Sequence, residues 1–192
     1  MRQKTGDKHS AILQAAVQVF ADQGFAEAKV ARIARVAGVA TGSVYNYFES
    51  KEDLLHSIFR DMWSRILAAL NELAAQEEIP SAERLERMVD AVFDRFSADS
   101  NLARVFVNEQ SFWMHKWEGD LSDLFQRFMD LLEQTLHDAG LKPGMDPRIQ
   151  RYLVFGAVRQ LIHQWADPKC PFSRDAAHSQ ILLLLRSLTT AG

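Results

Sequence analysis

A chain of 192 residues with 47% hydrophobic side chains can bury a sizeable core, which excludes a disordered segment. Its lone cysteine, Cys170, excludes an internal disulfide and a cysteine-rich metal site and fits a reducing cytoplasm. The net charge of −3 excludes a generic nucleic-acid coat, but residues 1–48 hold a surplus of +3 and the remainder −6, as suits a protein that touches phosphate at one end, or as chance gives to a small protein.

The polar start MRQKTGDKHS lacks an apolar stretch and predicts no signal peptide. Arg2, Lys4 and Lys8 there could form a basic arm or a frayed end. Every long segment has helical periodicity, with Gly and Pro at the boundaries, so an all-α fold of about nine helices is expected. The first spans about Lys8 to Gln23, with Ile12, Leu13, Ala16, Val17, Val19 and Phe20 as its buried stripe. In the second, Val30, Ile33, Ala34 and Ala37 share a face, and Gly38 follows as a left-handed cap. Thr41 or Ser43 is expected to cap a very short third helix carrying Val44, Tyr45, Tyr47 and Phe48. This is the build of a helix-turn-helix, whose second helix enters the major groove.

Ser50 is the expected N-cap of a fourth helix running from Lys51 to about Glu77, with Asp53 at N3. At roughly 25 residues it would be about 38 Å long. Such a helix links two units, so the chain is divided into a helix-turn-helix unit over residues 1–50 and a helical body over 51–192, with no flexible linker. Further helices are predicted from Pro80–Ser81, from about Asn101 to Trp117, and from about Leu121 to Ala139. An eighth follows the Asp146–Pro147 cap to near Trp165, and a ninth, capped by Ser173, ends near Leu188. ILLLL at 181–185 is the notable apolar run, too short for a bilayer.

A run apolar all round must be buried on two sides. The last two helices are therefore expected to pair with their copies across a two-fold axis, through Tyr152, Ile162, Trp165, Ile181, Leu184, Leu185 and Leu188. Large apolar side chains beside polar ones suggest a ligand pocket of Phe93, Phe96, Phe106, Asn108, Gln110, Trp113, Phe128, Phe155 and Arg159. The same polar residues could instead face solvent or a subunit seam. His115 and Glu118 one turn apart, and the scattered His137, His163 and His178, match no metal or acid–base pattern, so neither an enzyme nor a cofactor is expected.

GF at 24–25, V-x-x-I-A-x-x-A-G-V at 30–39, T-G-S-V-Y-N-Y-F at 41–48 and K-E-D-L at 51–54 resemble the TetR family of bacterial transcriptional regulators over about 45 residues. The wording A-T-G-S-V-Y-N-Y-F, with Ala28–Lys29–Val30 ahead of it, is similar to the branch that responds to fatty acyl-CoA thioesters. The chain departs from the family at Ala28 and Lys29, where a Ser or Thr usually caps the second helix.

The resemblance implies a cytoplasmic homodimeric repressor on a palindromic operator, released by an apolar ligand such as a fatty acyl-CoA. A drug-responsive regulator of the same family, or a helical adaptor without DNA readout, are the alternatives. It also implies DNA contacts from Thr41, Gly42, Ser43, Tyr45, Asn46, Tyr47 and Lys51, to which Lys29 and Arg32, with Arg35, add possible phosphate contacts. The chemistry agrees. Asn46 can pair with adenine and Tyr45 can meet a thymine methyl. Lys51 is a cation at the wrong end of a helix dipole, which an outside anion would explain. Tyr45 and Tyr47 could alternatively cover a small core.

Overall fold

The computed structural model describes residues 5–114, 119–167 and 169–190. Among them lie α1 (Thr5–Gln23), α2 (Val30–Val36), α3 (Thr41–Tyr45), α4 (Lys51–Ala74), α5 (Ser81–Ser97), α6 (Ser100–Met114), α7 (Asp120–Asp138), α8 (Pro147–Ala166) and α9 (Arg174–Leu188). The helices follow the expected order. α4 stops three residues short of Glu77, with Ala75 as its C-cap. Arg2, Lys4, His115, Glu118 and the side chains of Gln110 and Trp113 lie outside the described residues.

The caps explain most boundaries. After α2 the chain closes a Schellman turn: Gly38, at φ +69°, donates to the Arg35 carbonyl, and Val39 donates to that of Ala34. The Ser50 hydroxyl accepts from the Asp53 amide at 3.0 Å, while the Asp53 carboxylate accepts at 3.0 Å from the amide of Glu49, the residue before the cap; this near relative of the capping box fixes where α4 begins. Asp146 accepts from the Arg148 amide across the N1 proline of α8, and Ser173 accepts from that of Ala176 to open α9. Neither Thr41 nor Ser43 caps α3. Its N-cap is Ala40, with no side-chain bond, because α3 begins one residue earlier than a Thr41 cap requires.

α4 holds the two parts together. Its first turns bury Leu54, Leu55 and Ile58 among Ile12, Val19 and Phe20 of α1, Ile33 of α2 and Phe48 after α3 in one continuous apolar core. Further on it buries Met62, Trp63, Ile66 and Leu70 in the body formed with α5 to α8. Around Trp63 the rings of Phe106, Phe125, Phe128 and Phe155 lie with centroids 5.1–6.4 Å away.

On the outside, α9 is tied antiparallel to α5 by a ladder in which Glu86, Asp90 and Asp94 face Arg186, His178 and Arg174. The spacing of four residues along α5 puts its three carboxylates on one face. The Arg186 hydrogen bond holds the Glu86 carboxyl below its ordinary value. Arg151 of α8 bridges Asp130 and Glu133 of α7 in the same way, at 3.0 and 2.8 Å.

Candidate nucleic-acid interface and ligand cavity

α3 is pinned from below by Val44 and Phe48, which are 1% and 3% exposed. With those two side chains inward, Thr41, Gly42, Tyr45 and Asn46 are left facing water, and Ser43 and Tyr47 are half-buried at the edge. Tyr45 and Tyr47 separate here: Tyr45 is 54% exposed, whereas Tyr47 packs on the core with its ring edge-on to His9. Lys29, Arg32 and Arg35 are exposed on and beside α2.

Two features of this ridge have no use inside the protein. Gly42 has an ordinary helical φ, and a Cβ added to it would meet nothing within 4 Å, so the fold does not require glycine there. A bare backbone permits something outside to come close. Secondly, Lys29 and Ala40, the N-caps of α2 and α3, make no side-chain cap bond, which leaves first-turn N–H groups for an external acceptor.

Lys51 differs from the expected phosphate ligand. Its ammonium donates to the carbonyls of Phe25, Ala26 and Ala28 at 2.7, 3.0 and 3.2 Å and lies 4.5 Å from the centre of the Phe25 ring. An internal cluster of carbonyl oxygens therefore supplies the negative partner that the helix end lacks. Lys51 ties the α1–α2 loop to the start of α4. Glu109 of α6 reaches the same loop and accepts from the Phe25 amide at 3.0 Å, while Arg104 of α6 stands 3.9 Å from Asp22 of α1.

Beneath α4 lies an apolar cavity of about 50 Å³. Of the residues singled out in the sequence, Phe96, Phe106, Phe128, Phe155 and Arg159 line it. So do Trp63, Ile66, Leu70, Met88, Val92 and Val158, which periodicity alone marks only as core. Asn108 does not line it, because it projects to solvent from the far side of α6. Phe93 does not either; it is turned toward α9, against the ring of His178 at 5.3 Å. Among the described residues no group of three His, Cys, Asp or Glu side chains gathers as a metal site would, and no helix is long and apolar enough to cross a membrane.

The expected subunit seam needs correction. Ile162, Ile181, Leu185 and Leu188 are buried within the protomer, because the apolar run of α9 turns one side onto the body. Trp165 and Leu184 are half-buried against the same core. The large apolar side chains that α8 and α9 leave exposed are Ile149, Tyr152, Leu153 and Leu183, each 55–58% exposed; of these only Tyr152 belongs to the expected seam, and Arg151 lies over its ring at 5.1 Å. Spacings of three and four residues put the α8 members on one stripe, the signal that could have found them.

Residues 12–58 match the family described as bacterial regulatory proteins, tetR family, and residues 59–187 match the YsiA-like protein, C-terminal region. The fatty acid metabolism regulator protein of Bacillus subtilis (strain 168) is 28% identical over 191 residues, 97% of each chain. Among solved structures, the fatty acid degradation regulator FadR from Bacillus halodurans superposes with a TM-score of 0.81 at 29% identity, covering 95% of this chain and 96% of that one. FadR from Bacillus subtilis in complex with stearoyl-CoA gives 0.77 at 27% identity, over 92% and 96%.

Proposed function

The chain belongs to the TetR family of bacterial regulatory proteins, a DNA-binding regulator that responds to a ligand, and on that premise we propose that it is a cytoplasmic repressor released from its operator by a long-chain fatty acyl-CoA. The observation that carries DNA readout is the ridge from Thr41 to Asn46, exposed on a rigid backing with a glycine that the fold does not need. Asn46 would read a base edge, Tyr45 would meet a thymine methyl, and Lys29 and Arg32 would neutralise phosphates. One such ridge is too small for a specific site. A second copy, joined along the stripe of Ile149, Tyr152, Leu153 and Leu183, would set two ridges in successive major grooves about 34–36 Å apart or somewhat more.

The ligand reading is supported by a cavity walled by hydrocarbon and by the stearoyl-CoA complex of the Bacillus subtilis relative. At about 50 Å³ the cavity is far smaller than the roughly 300–1,000 Å³ of a typical ligand site, so an acyl chain must spread the helices around it. Two of those helices lead to the DNA-binding unit. α4 starts at the Lys51 clamp, and α6 carries Phe106 on the cavity wall and Glu109 on the Phe25 amide. Spreading them would tilt α3 against its partner and weaken operator binding. The coupling would be of order 1–3 kcal/mol, and operator would weaken the ligand by the same factor.

The test is fluorescence anisotropy on a labelled inverted repeat from the DNA beside the coding region. Tight binding that stearoyl-CoA reverses supports the proposal. Binding that is weak on every palindrome and independent of salt sinks the DNA reading. Tight binding that stearoyl-CoA leaves untouched sinks the ligand.

A further inference from the structure

α1 and α2 are each followed by a glycine with positive φ, yet the two ends are closed differently. After α2, the amides of Gly38 and Val39 both donate to carbonyls of their own helix. After α1, Gly24 donates to the Phe20 carbonyl at 2.9 Å, the simpler left-handed cap. The next amide, that of Phe25, instead donates outside the helix, to Glu109 Oε1 of α6 at 3.0 Å. The C-terminus of α1 is thus completed by a carboxylate of the helical body. Phe25 is buried and Glu109 half-buried, so losing this bond costs more than exchanging it for water on an open surface would.

The same segment is gripped from a second side. The Phe25 carbonyl accepts from Lys51 at the start of α4 at 2.7 Å, and its ring stands edge-on to Phe20 at 5.4 Å, inside the core behind the ridge. Phe25 is therefore a corner of the DNA-binding unit held between α4 and α6. Close by on α6, Phe106 lines the cavity and packs on Phe96 and Trp63, with centroids 4.9 and 6.0 Å away. Phe106 and Glu109 are three residues apart on one helix and move together. Arg104 of α6 also reaches α1, but at 3.9 Å from Asp22 and with both side chains exposed it holds little.

Resting on the acyl-CoA reading above, we infer that Glu109 is a latch: a positioning residue that holds the Phe25 corner rigid while the cavity is closed and lets it go when the cavity opens. A shift of about 1 Å in α6 takes a 3.0 Å bond out of hydrogen-bonding range. The Phe25 amide then loses its acceptor on α6, and the corner between α1 and α2 loosens. Release of DNA thus includes a loss of order inside the DNA-binding unit, which a rigid tilt of α3 does not. The latch exists only in the closed state, so it favours the operator and opposes the ligand.

The test measures operator affinity by anisotropy and stearoyl-CoA affinity by calorimetry on the full-length protein. Glu109→Ala should bind stearoyl-CoA about tenfold tighter, because the ligand no longer has to break the bond, and the operator about threefold or more weaker. These opposite signs separate a latch from simple damage, which would weaken both. Glu109→Gln keeps a carbonyl acceptor at the same reach and should stay within about threefold of wild type on both, and Arg104→Gln within about twofold. Hydrogen exchange supplies a direct readout: the Phe25 amide should be protected in the ligand-free protein and exchange about tenfold faster with saturating stearoyl-CoA. Loss of both affinities in Glu109→Ala, a change in neither, or Glu109→Gln moving as far as Glu109→Ala overturns the latch. A Phe25 amide that stays protected in the stearoyl-CoA complex overturns it too, while sparing the ligand. Wild-type protein that takes up no stearoyl-CoA removes the ligand reading itself, and this inference with it.

Discussion

Tyr45 of α3 is 54% exposed and Trp63 of α4 is 2% exposed, although both are large aromatic residues of neighbouring helices. The ridge holds its aromatic in water on a backing that leaves it nowhere else to go. The cavity region draws its aromatic into a cluster of four Phe rings and still leaves space unfilled. On the proposed reading, the first surface is preformed for DNA, while the second would have to be opened by a ligand. That asymmetry suits a switch: the DNA contact needs rigidity to discriminate, and the ligand contact needs a soft interior so that filling it does mechanical work.

The largest effect should come from breaking the soft side. Trp63→Ala removes the centre of the aromatic cluster and should cost about 3–5 kcal/mol in urea unfolding at fixed protein concentration. Because Val44 and Phe48, rather than Trp63, lie directly behind the ridge, the folded variant should retain its operator affinity. If affinity falls with stability, the two surfaces are not separately built.

On the rigid side, Asn46→Ala should lower operator affinity by about 1–3 kcal/mol and relax specificity at one base pair, without a change in unfolding midpoint. Gly42→Ala sharpens the contrast, since the added methyl meets nothing inside the protein. It should raise stability by up to about 1 kcal/mol and still weaken DNA binding. A weakened fold would show that glycine is there for internal reasons.

These positions also mark what could be seen from sequence. The ridge was legible because its signals are local: Gly38 after an apolar stripe, two tyrosines beside a buried valine, Ser50 three residues before Asp53. The Lys51 clamp was hidden because its carbonyl partners lie 23 to 26 residues away, and the Glu109 contact spans 84. The inner and outer sides of α9 were equally hidden, since five consecutive apolar residues from Ile181 to Leu185 carry no period that distinguishes them. Asn108 was misplaced for the reverse reason. Proximity in sequence to Phe106 on the cavity wall does not set a helix face, and two residues along a helix turn a side chain about 200° away.

Lys51 permits a comparison between charges of the same motif. Lys51→Met removes a charged donor from three carbonyls and should cost about 1–2 kcal/mol of stability, with the salt slope of operator binding unchanged. Arg32→Ala, on the exposed side, should do the opposite: unchanged stability and a salt slope reduced by about 0.9 for the phosphate released. A slope change in the Lys51 variant would mean that the ammonium leaves its carbonyls for DNA.

The smallest expected effect lies on the outer ladder between α5 and α9. Arg186 donates to both carboxylate oxygens of Glu86, at 2.6 and 2.9 Å, and so lowers the Glu86 pKa from its ordinary 4.5. A carboxylate depressed on folding stabilises the native state above its unfolded value, and that contribution is lost as pH falls through the lower folded value. The relevant window is therefore below about pH 4.5. Arg186 is 56% exposed, so solvent and salt screen the pair and the effect should be only about 1–2 °C in the midpoint. Melting curves of wild type and Glu86→Gln should stand apart by that increment near pH 7 and converge as the pH is lowered below 4.5. Ligand release of DNA should be the same in both, because the ladder pins α9 away from the cavity and the ridge. If Glu86→Gln instead alters release, α9 takes part in the opening of the soft side, and the division between a rigid surface and a yielding interior would have to include the outer helix.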